Sequence, residues 1–276
     1  MIPTLAFNKY NNFMPEVSEL FIYPIKSLGG ISVNSATVTD RGFAYDRRWM
    51  LVDMQNHFLT QREFAQMALL QVTLNNNGLQ VQHKINGAVL NIPFNSQTNE
   101  TANTVIWDDE CAAQFVQAEA DAWFSDMLSV QCRLVFMPDS TKRLVEETYA
   151  KHKEVTSFSD AYPFLIIGQS SLDDLNSRLA EPLPMNRFRP NIVCTGSHAF
   201  EEDDIKHFTI NSIDFYGVKP CARCAITTIN QENGSTAKEP LKTLSTYRFK
   251  DNKVYFGQNL LHNGTGTVSV GDLIKF

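Results

Sequence analysis

What most limits the fold of this chain is the way turn-forming residues cut its first half into short runs of alternating apolar and polar side chains. The runs are Glu19 to Ile25, Ile31 to Val38, Arg48 to Asp53, and Leu69 to Gln82, the last broken by Asn77-Gly78. A two-residue period puts neighbouring side chains on opposite faces, so each run reads as a half-buried strand. Asn-Gly favours a tight hairpin because both residues accept positive φ, and Asn86-Gly87 repeats the signal. The spacing predicts a curled antiparallel sheet or barrel.

Helical spacing is expected over Cys111 to Leu128, where Val116, Ala120, Trp123 and Met127 share a face, and over Leu172 to Leu179. Ser171 with Asp174 three residues on resembles a capping box for the second helix. Between them, the polar stretch Pro138 to Ser159 reads as a boundary or a mobile loop. Strand patterns resume at Phe164 to Ile167, Asn191 to Thr195, Phe208 to Phe215, Ala225 to Ile229, Lys253 to Phe256 and Thr267 to Phe276. Asn211-Ser212 and Gly271-Asp272 supply turns.

At 276 residues and 43% hydrophobic, the chain can build one large or two modest cores without disulfides. A net charge of -6 from interspersed acids and bases leaves no broad basic face, so no nucleic-acid partner is expected. The N-terminal residues show no charged-then-apolar signal, and no window approaches the roughly 20 apolar residues of a membrane span. A cytoplasmic protein with no membrane partner is expected, and the odd set of 5 cysteines suits a reducing compartment. No Gly-rich dinucleotide or phosphate loop and no internal repeat is found.

The sharpest local feature is Lys219-Pro220-Cys221-Ala222-Arg223-Cys224. Two cysteines at this spacing could hold zinc, but no second Cys or His pair stands at finger spacing. A redox pair of the thioredoxin type belongs at a strand-to-helix junction, whereas Ala225 to Ile229 reads as a strand. Both thiols could simply be packed as small apolar groups. Against that, Lys219 and Arg223 flank them, and cations favour thiolate, which leaves a reactive or metal-binding cysteine open.

Basic residues form two further groups: Lys26 with Ser27, Arg47, Arg48 and Arg62 early in the chain, and Asn186, Arg187, Arg189 and Asn191 later. Guanidinium forks match phosphate geometry, so together with a thiolate they point to a pocket for a small, multiply anionic ligand.

Several segments, in order, resemble the motifs of MOSC proteins, and above all of the amidoxime reducing components and their bacterial relatives. They are Tyr23-Pro24-Ile25-Lys26-Ser27, Asp46-Arg47-Arg48-Trp49, Ser159-Asp160-Ala161-Tyr162-Pro163-Phe164-Leu165, Leu175 to Leu179, Phe188 to Val193 and Cys221-Ala222-Arg223-Cys224. Lys238 to Leu241, Tyr247-Arg248, Phe256 to Gln258 and Val270 to Asp272 extend the likeness. The resemblance implies an α+β, β-rich fold, with an N-terminal β-barrel-like domain over 15–137 and a MOSC β-barrel domain with a few helices over 155–276.

The same resemblance implies a molybdenum cofactor, Mo-molybdopterin, bound between the two parts with one protein cysteine as ligand. The family motif puts that ligand and the catalytic role at Cys224, with Cys221 as the alternative. Lys26, Ser27 and Arg47 match positions that hold the cofactor phosphate and pterin, and 186–191 matches another part of that pocket. Arg62, Arg187, Arg189 and Arg223 join the expected cofactor-binding set, as does Arg48, although animal members tend to carry an aromatic residue there.

The implied substrates are N-hydroxylated compounds: amidoximes, N-hydroxylated bases and hydroxylamines. Some bacterial relatives carry a ferredoxin-like domain whose [2Fe-2S] cluster needs four cysteines, whereas this sequence runs to Phe276 within the MOSC strand pattern. No internal iron-sulfur cluster is therefore expected, and electrons are expected from a separate ferredoxin, flavodoxin or cytochrome-like protein with its reductase. The mitochondrial members' anchor is not recognisable here. The competing reading is a sulfur or molybdenum-cofactor carrier that uses a cysteine persulfide. Its cofactor sulfurase relatives need a pyridoxal-phosphate domain, for which this chain has no room, so no PLP is expected.

Overall fold

The computed structural model describes residues 14–150 and 152–276; the expectation of a signal-free N-terminus falls on residues outside that range. The fold is α+β and rich in strand. Its centre is Phe164–Gly168, a wholly apolar segment buried along its length. Phe164 and Ile166 face a core with Phe43, Phe208 and Phe215, while Leu165 and Ile167 face a second core with Leu172, Leu175 and Phe256. Burial on both faces explains why this segment reads as a continuous apolar run rather than an alternation.

Around it runs a nine-stranded sheet in the order Ile31–Val33, Glu16–Ile22, Ile192–Thr195, Phe164–Gly168, Lys253–Asn263, Ile213–Ala222, His207–Ile210 and Ile274–Lys275, with Phe249–Lys250 paired to Lys253–Asn263. Phe164–Gly168 and Ile192–Thr195 run parallel, joined through the helix Gln169–Asn176, while the other pairs in the sheet are antiparallel. The first described strand, Glu16–Ile22, thus sits between a neighbour close in sequence and one from the far half.

The remaining early strands build a second layer. Trp49–Val52, Arg133–Phe136, Asp109–Phe115 and Thr101–Ile106 form one sheet, and Leu70–Asn75, Gly78–His83 and Val89–Pro93 form a meander. The helix Ala118–Leu128 turns Ala120, Phe124 and Leu128 toward Leu70, Val72, Leu79 and Val81. Among the described residues no helix is long and apolar enough to cross a membrane.

Several local expectations change. The first helix begins at Ala118, because Cys111, Ala113 and Phe115 alternate inward on a strand whose period of two prevails over the helical reading. The second helix spans Gln169–Asn176, and Ser171 does not cap it. The Ser171 hydroxyl instead donates to the buried Glu202 carboxylate at 2.7 Å and accepts from the Phe200 amide. Ala225 to Ile229 is no strand: Ala225–Thr228 is a single 3-10 turn that starts from Cys224. The stretch after Pro138 is pinned by a small ladder, Arg143–Leu144 with Val155–Thr156, and by the buried Arg143, which donates to the Ser157, Ser159 and Asp160 carbonyls.

Candidate active site

The chain leaves Glu16–Ile22 into a tight segment laced to a second one. The Arg47 amide donates to the Tyr23 carbonyl at 2.8 Å, Lys26 to Trp49 at 2.8 Å, and Trp49 to Pro24 at 3.0 Å. Asp46, buried between them, accepts the Tyr23 amide at 2.8 Å and pairs with Arg47. Burial pushes the Asp46 carboxyl up, against the pull of Arg47. Ser27, Arg47 and Arg189 all have positive φ, at 67°, 50° and 55°. Non-glycine residues pay for that conformation in strain, and such outliers cluster where side chains are held for a purpose.

Tyr23 is the post around which this corner is built. The Arg47 and Arg189 guanidiniums lie 4.4 and 4.3 Å from its ring centre, and its hydroxyl donates to the Pro190 carbonyl at 3.0 Å. Burial pushes its phenol up to about 12, so it stays neutral. Asn191 ties three segments together: its side chain accepts from Arg47 at 3.0 Å and from the Leu165 amide, and donates to the Phe21 carbonyl. Burial lowers Arg189 to about 10, which leaves it cationic at neutral pH, and it donates to the Leu28 carbonyl at 2.8 Å.

Of these groups Arg47, Arg189 and Asn191 open on one cavity, lined also by Lys26, Ser27, Arg62, Asp160, Cys221, Arg223 and Cys224. Lys26 is 5% exposed and donates to the Phe158 carbonyl at 2.8 Å and to Asp160 at 2.6 Å. Arg62 approaches Asp160 at 3.5 Å. Crowding disfavours charge on Asp160, yet the Lys26 and Arg62 cations outweigh it and hold the carboxyl well below the usual carboxylate range. Five cationic side chains and one carboxylate, Asp160, line the cavity, with Asp46 buried against Arg47, so the cavity is positive in a chain of net charge -6.

On the opposite wall, Ile213–Ala222 ends at the cysteine motif. Arg223 donates to the Cys221 sulfur at 3.0 Å and to the Phe188 carbonyl at 2.6 Å, while its Nε is buried with no hydrogen-bond partner among the described residues. Cys224 is partly buried at the start of the 3-10 turn, and its carbonyl accepts from Thr227. Among the described residues no group of three His, Cys, Asp or Glu side chains could hold a metal, so the companions of a closed zinc site are missing.

Three expected residues lie elsewhere. Arg48 turns away to the Met137 carbonyl at 3.1 Å and Asp139 at 2.7 Å, at the point where the chain leaves the left-handed Arg47 and enters the strand Trp49–Val52. Asn186 and Arg187 sit on the 3-10 turn Met185–Arg187, outside the cavity lining. Arg187 is buried and donates to the Thr227 carbonyl at 2.9 Å, bracing from behind the turn that follows Cys224. Asp46, Asp160 and Tyr23 are the additions; each lies inside a segment already singled out in the sequence, and an acid standing within a basic or polar motif, Asp46 beside Arg47 and Asp160 after Ser159, was the available signal.

The model of the MOSC N-terminal beta barrel domain matches residues 14–131, and that of the MOSC domain matches residues 153–275. The chain belongs to the MOSC family. Mitochondrial amidoxime-reducing component 1 of Mus musculus is 33% identical over 93% of this chain and 80% of its own length. Mitochondrial amidoxime reducing component 2 of Rattus norvegicus is 34% identical over 93% and 81%. The solved YuaD protein of Bacillus subtilis aligns over 95% of this chain and 94% of its own, at 10% identity and a TM-score of 0.41, a likeness too distant to build on.

Proposed function

We propose that this chain is a molybdenum-cofactor-dependent reductase of N-hydroxylated compounds, served by a separate electron-donor protein. The observation that carries the proposal is the cavity, where Cys224 faces Lys26, Arg47, Arg62, Arg189 and Arg223. The donor set fits a pterin that carries a phosphate. It offers several guanidinium forks, a buried ammonium, and an Arg223 Nε that is buried with no partner among the described residues. Lys26, Arg47, Arg189 and Arg223 would hold the phosphate and pterin, and Cys224 would give the metal its thiolate.

When bound, this cofactor supplies two-electron chemistry that, with two protons, replaces N–OH by N–H and releases water. The chain's own part is to fix the geometry. Cys224 is held between a sheet strand and a turn braced by Arg187, so the backbone that carries its side chain is fixed on both sides. Tyr23, Asp46 and Asn191 lock Arg47 and Arg189 into place, which spares the reorganisation a mobile arginine would need. All five cysteines are free, which suits a reducing cytoplasm.

The names of the similar proteins fit an amidoxime as substrate. Protein from a cofactor-competent host, given reduced methyl viologen, is expected to convert benzamidoxime to benzamidine, and Cys224→Ser is expected to lose that activity. If metal-loaded wild type reduces no N-hydroxylated compound, the carrier reading takes its place, and Cys221, already held by Arg223, becomes the thiol to examine.

A further inference from the structure

Ile106 pairs with Asp109 across a hairpin, leaving the two-residue loop Trp107-Asp108. Trp107 has a φ of 56°, in the left-handed region where two-residue loops usually place glycine or asparagine. Its side chain is 44% exposed. A bulky aromatic residue in that conformation with much of its surface in water costs the hairpin stability, and such an outlier points to function.

The loop lies against two residues that line the cavity, Arg62 and Asp160. The Arg62 guanidinium lies 4.5 Å from the Trp107 ring centre, and Phe58 meets the indole edge-on at 4.9 Å. Arg62 reaches on to Asp160, and the indole also supports the charge on Asp160. Lys26 approaches the Phe58 ring at 5.3 Å. The aromatic pair is therefore joined to the cavity wall through its cations, with indole surface still open to solvent.

We propose that Trp107 is a specificity-determining platform on which planar, conjugated substrates stack as they enter: aryl amidoximes and N-hydroxylated heteroaromatic bases rather than small hydroxylamines. The inference rests on the reductase reading above. Amidoxime and amidine groups are flat and delocalised, and a ring conjugated to them presents the face that an indole accepts by offset stacking. Asp160, 55% exposed at the side chain and held ionised, stands beside the platform to accept a hydrogen bond from the substrate's amino group. Hydroxylamine has no ring and gains nothing from the indole.

The test compares benzamidoxime with hydroxylamine, using cofactor-loaded protein and reduced methyl viologen. Trp107→Ala is expected to raise the ratio of the two KM values, benzamidoxime over hydroxylamine, about fivefold, with a much smaller change in kcat for benzamidoxime. Trp107→Phe should recover most of the loss. A second readout needs no turnover: benzamidine should quench the tryptophan fluorescence of the wild type, and Trp107→Phe, which keeps Trp49 and Trp123, should lose that response. An equal KM shift for both substrates, a loss of bound pterin, or a defect confined to a protein electron donor would each overturn the proposal. If loaded wild type reduces neither compound, the reductase reading fails, while the benzamidine titration still decides whether Trp107 is a platform.

Discussion

Lys26 carries a charge the cavity needs in a place that disfavours it. Burial lowers its ammonium to about 8, although Asp160 pulls the other way. An anionic ligand requires the protonated form, so pterin affinity is expected to fall as pH rises above about 8, and not below it. Pterin retention measured between pH 7 and 10 checks this, and Lys26→Arg, which stays charged, should flatten the profile. Folding has the opposite sign. Above about 8 the unfolded chain keeps a proton that the folded chain has shed, so the Lys26 contribution to stability rises with pH up to the ordinary lysine range. Residue types were legible in the sequence at Lys26, Arg47, Arg189 and Cys224. Whether a given arginine faces the cavity was not, since Arg47 and Arg48 are neighbours with opposite directions and only the fold decides between them.

Among the elements, hairpins were the most readable, yet for a reason that differs from the expected one. Asn75 pairs with Gly78, so the loop is Asn76-Asn77, and the Asn75 side chain accepts from the Asn77 and Gly78 amides. Gly78 is required not for positive φ but for room, since a Cβ there would stand 2.2 Å from the Ile92 carbonyl of the third strand. Gly78→Ala is therefore expected to cost about 1 to 3 kcal/mol in urea denaturation. At Gly87, where φ is 75° and nothing lies within 4 Å, asparagine should be tolerated. An unchanged midpoint for Gly78→Ala would mean that the third strand yields. The helix at Gln169 and the turn after Cys224 were misread because their partners are distant: Glu202 holds Ser171, and Arg187 holds Thr227. Local spacing carries no trace of such contacts.

At the scale of the molecule, the two family models split the chain near its middle, but the sheet does not. Glu16–Ile22 lies between Ile31–Val33 and Ile192–Thr195, Ser35–Thr39 pairs with Gly266–Ser269, and Lys26 reaches Phe158, 132 residues along the chain. Halves interlocked in this way are expected to unfold together. The tryptophans, Trp49, Trp107 and Trp123, report on the early half and far-UV circular dichroism reports on the whole. Their urea transitions should therefore coincide, whereas separated midpoints would show that the halves melt independently. The class of fold was legible because alternation and turn chemistry are local. The long-range pairing that creates the cavity was legible only through the order of the family motifs.

The claim on which the rest depends is that this positive cavity, with Cys224 at its wall, holds a molybdenum cofactor. Molybdenum and pterin content, measured on protein purified from a cofactor-competent host, tests it most directly. The account predicts stoichiometric metal and pterin in the wild type, with molybdenum lost or labile in Cys224→Ser and pterin depleted in Arg47→Ala, since each charge-assisted hydrogen bond to phosphate contributes about 1.5 to 3 kcal/mol. Wild-type protein free of both molybdenum and pterin would contradict it.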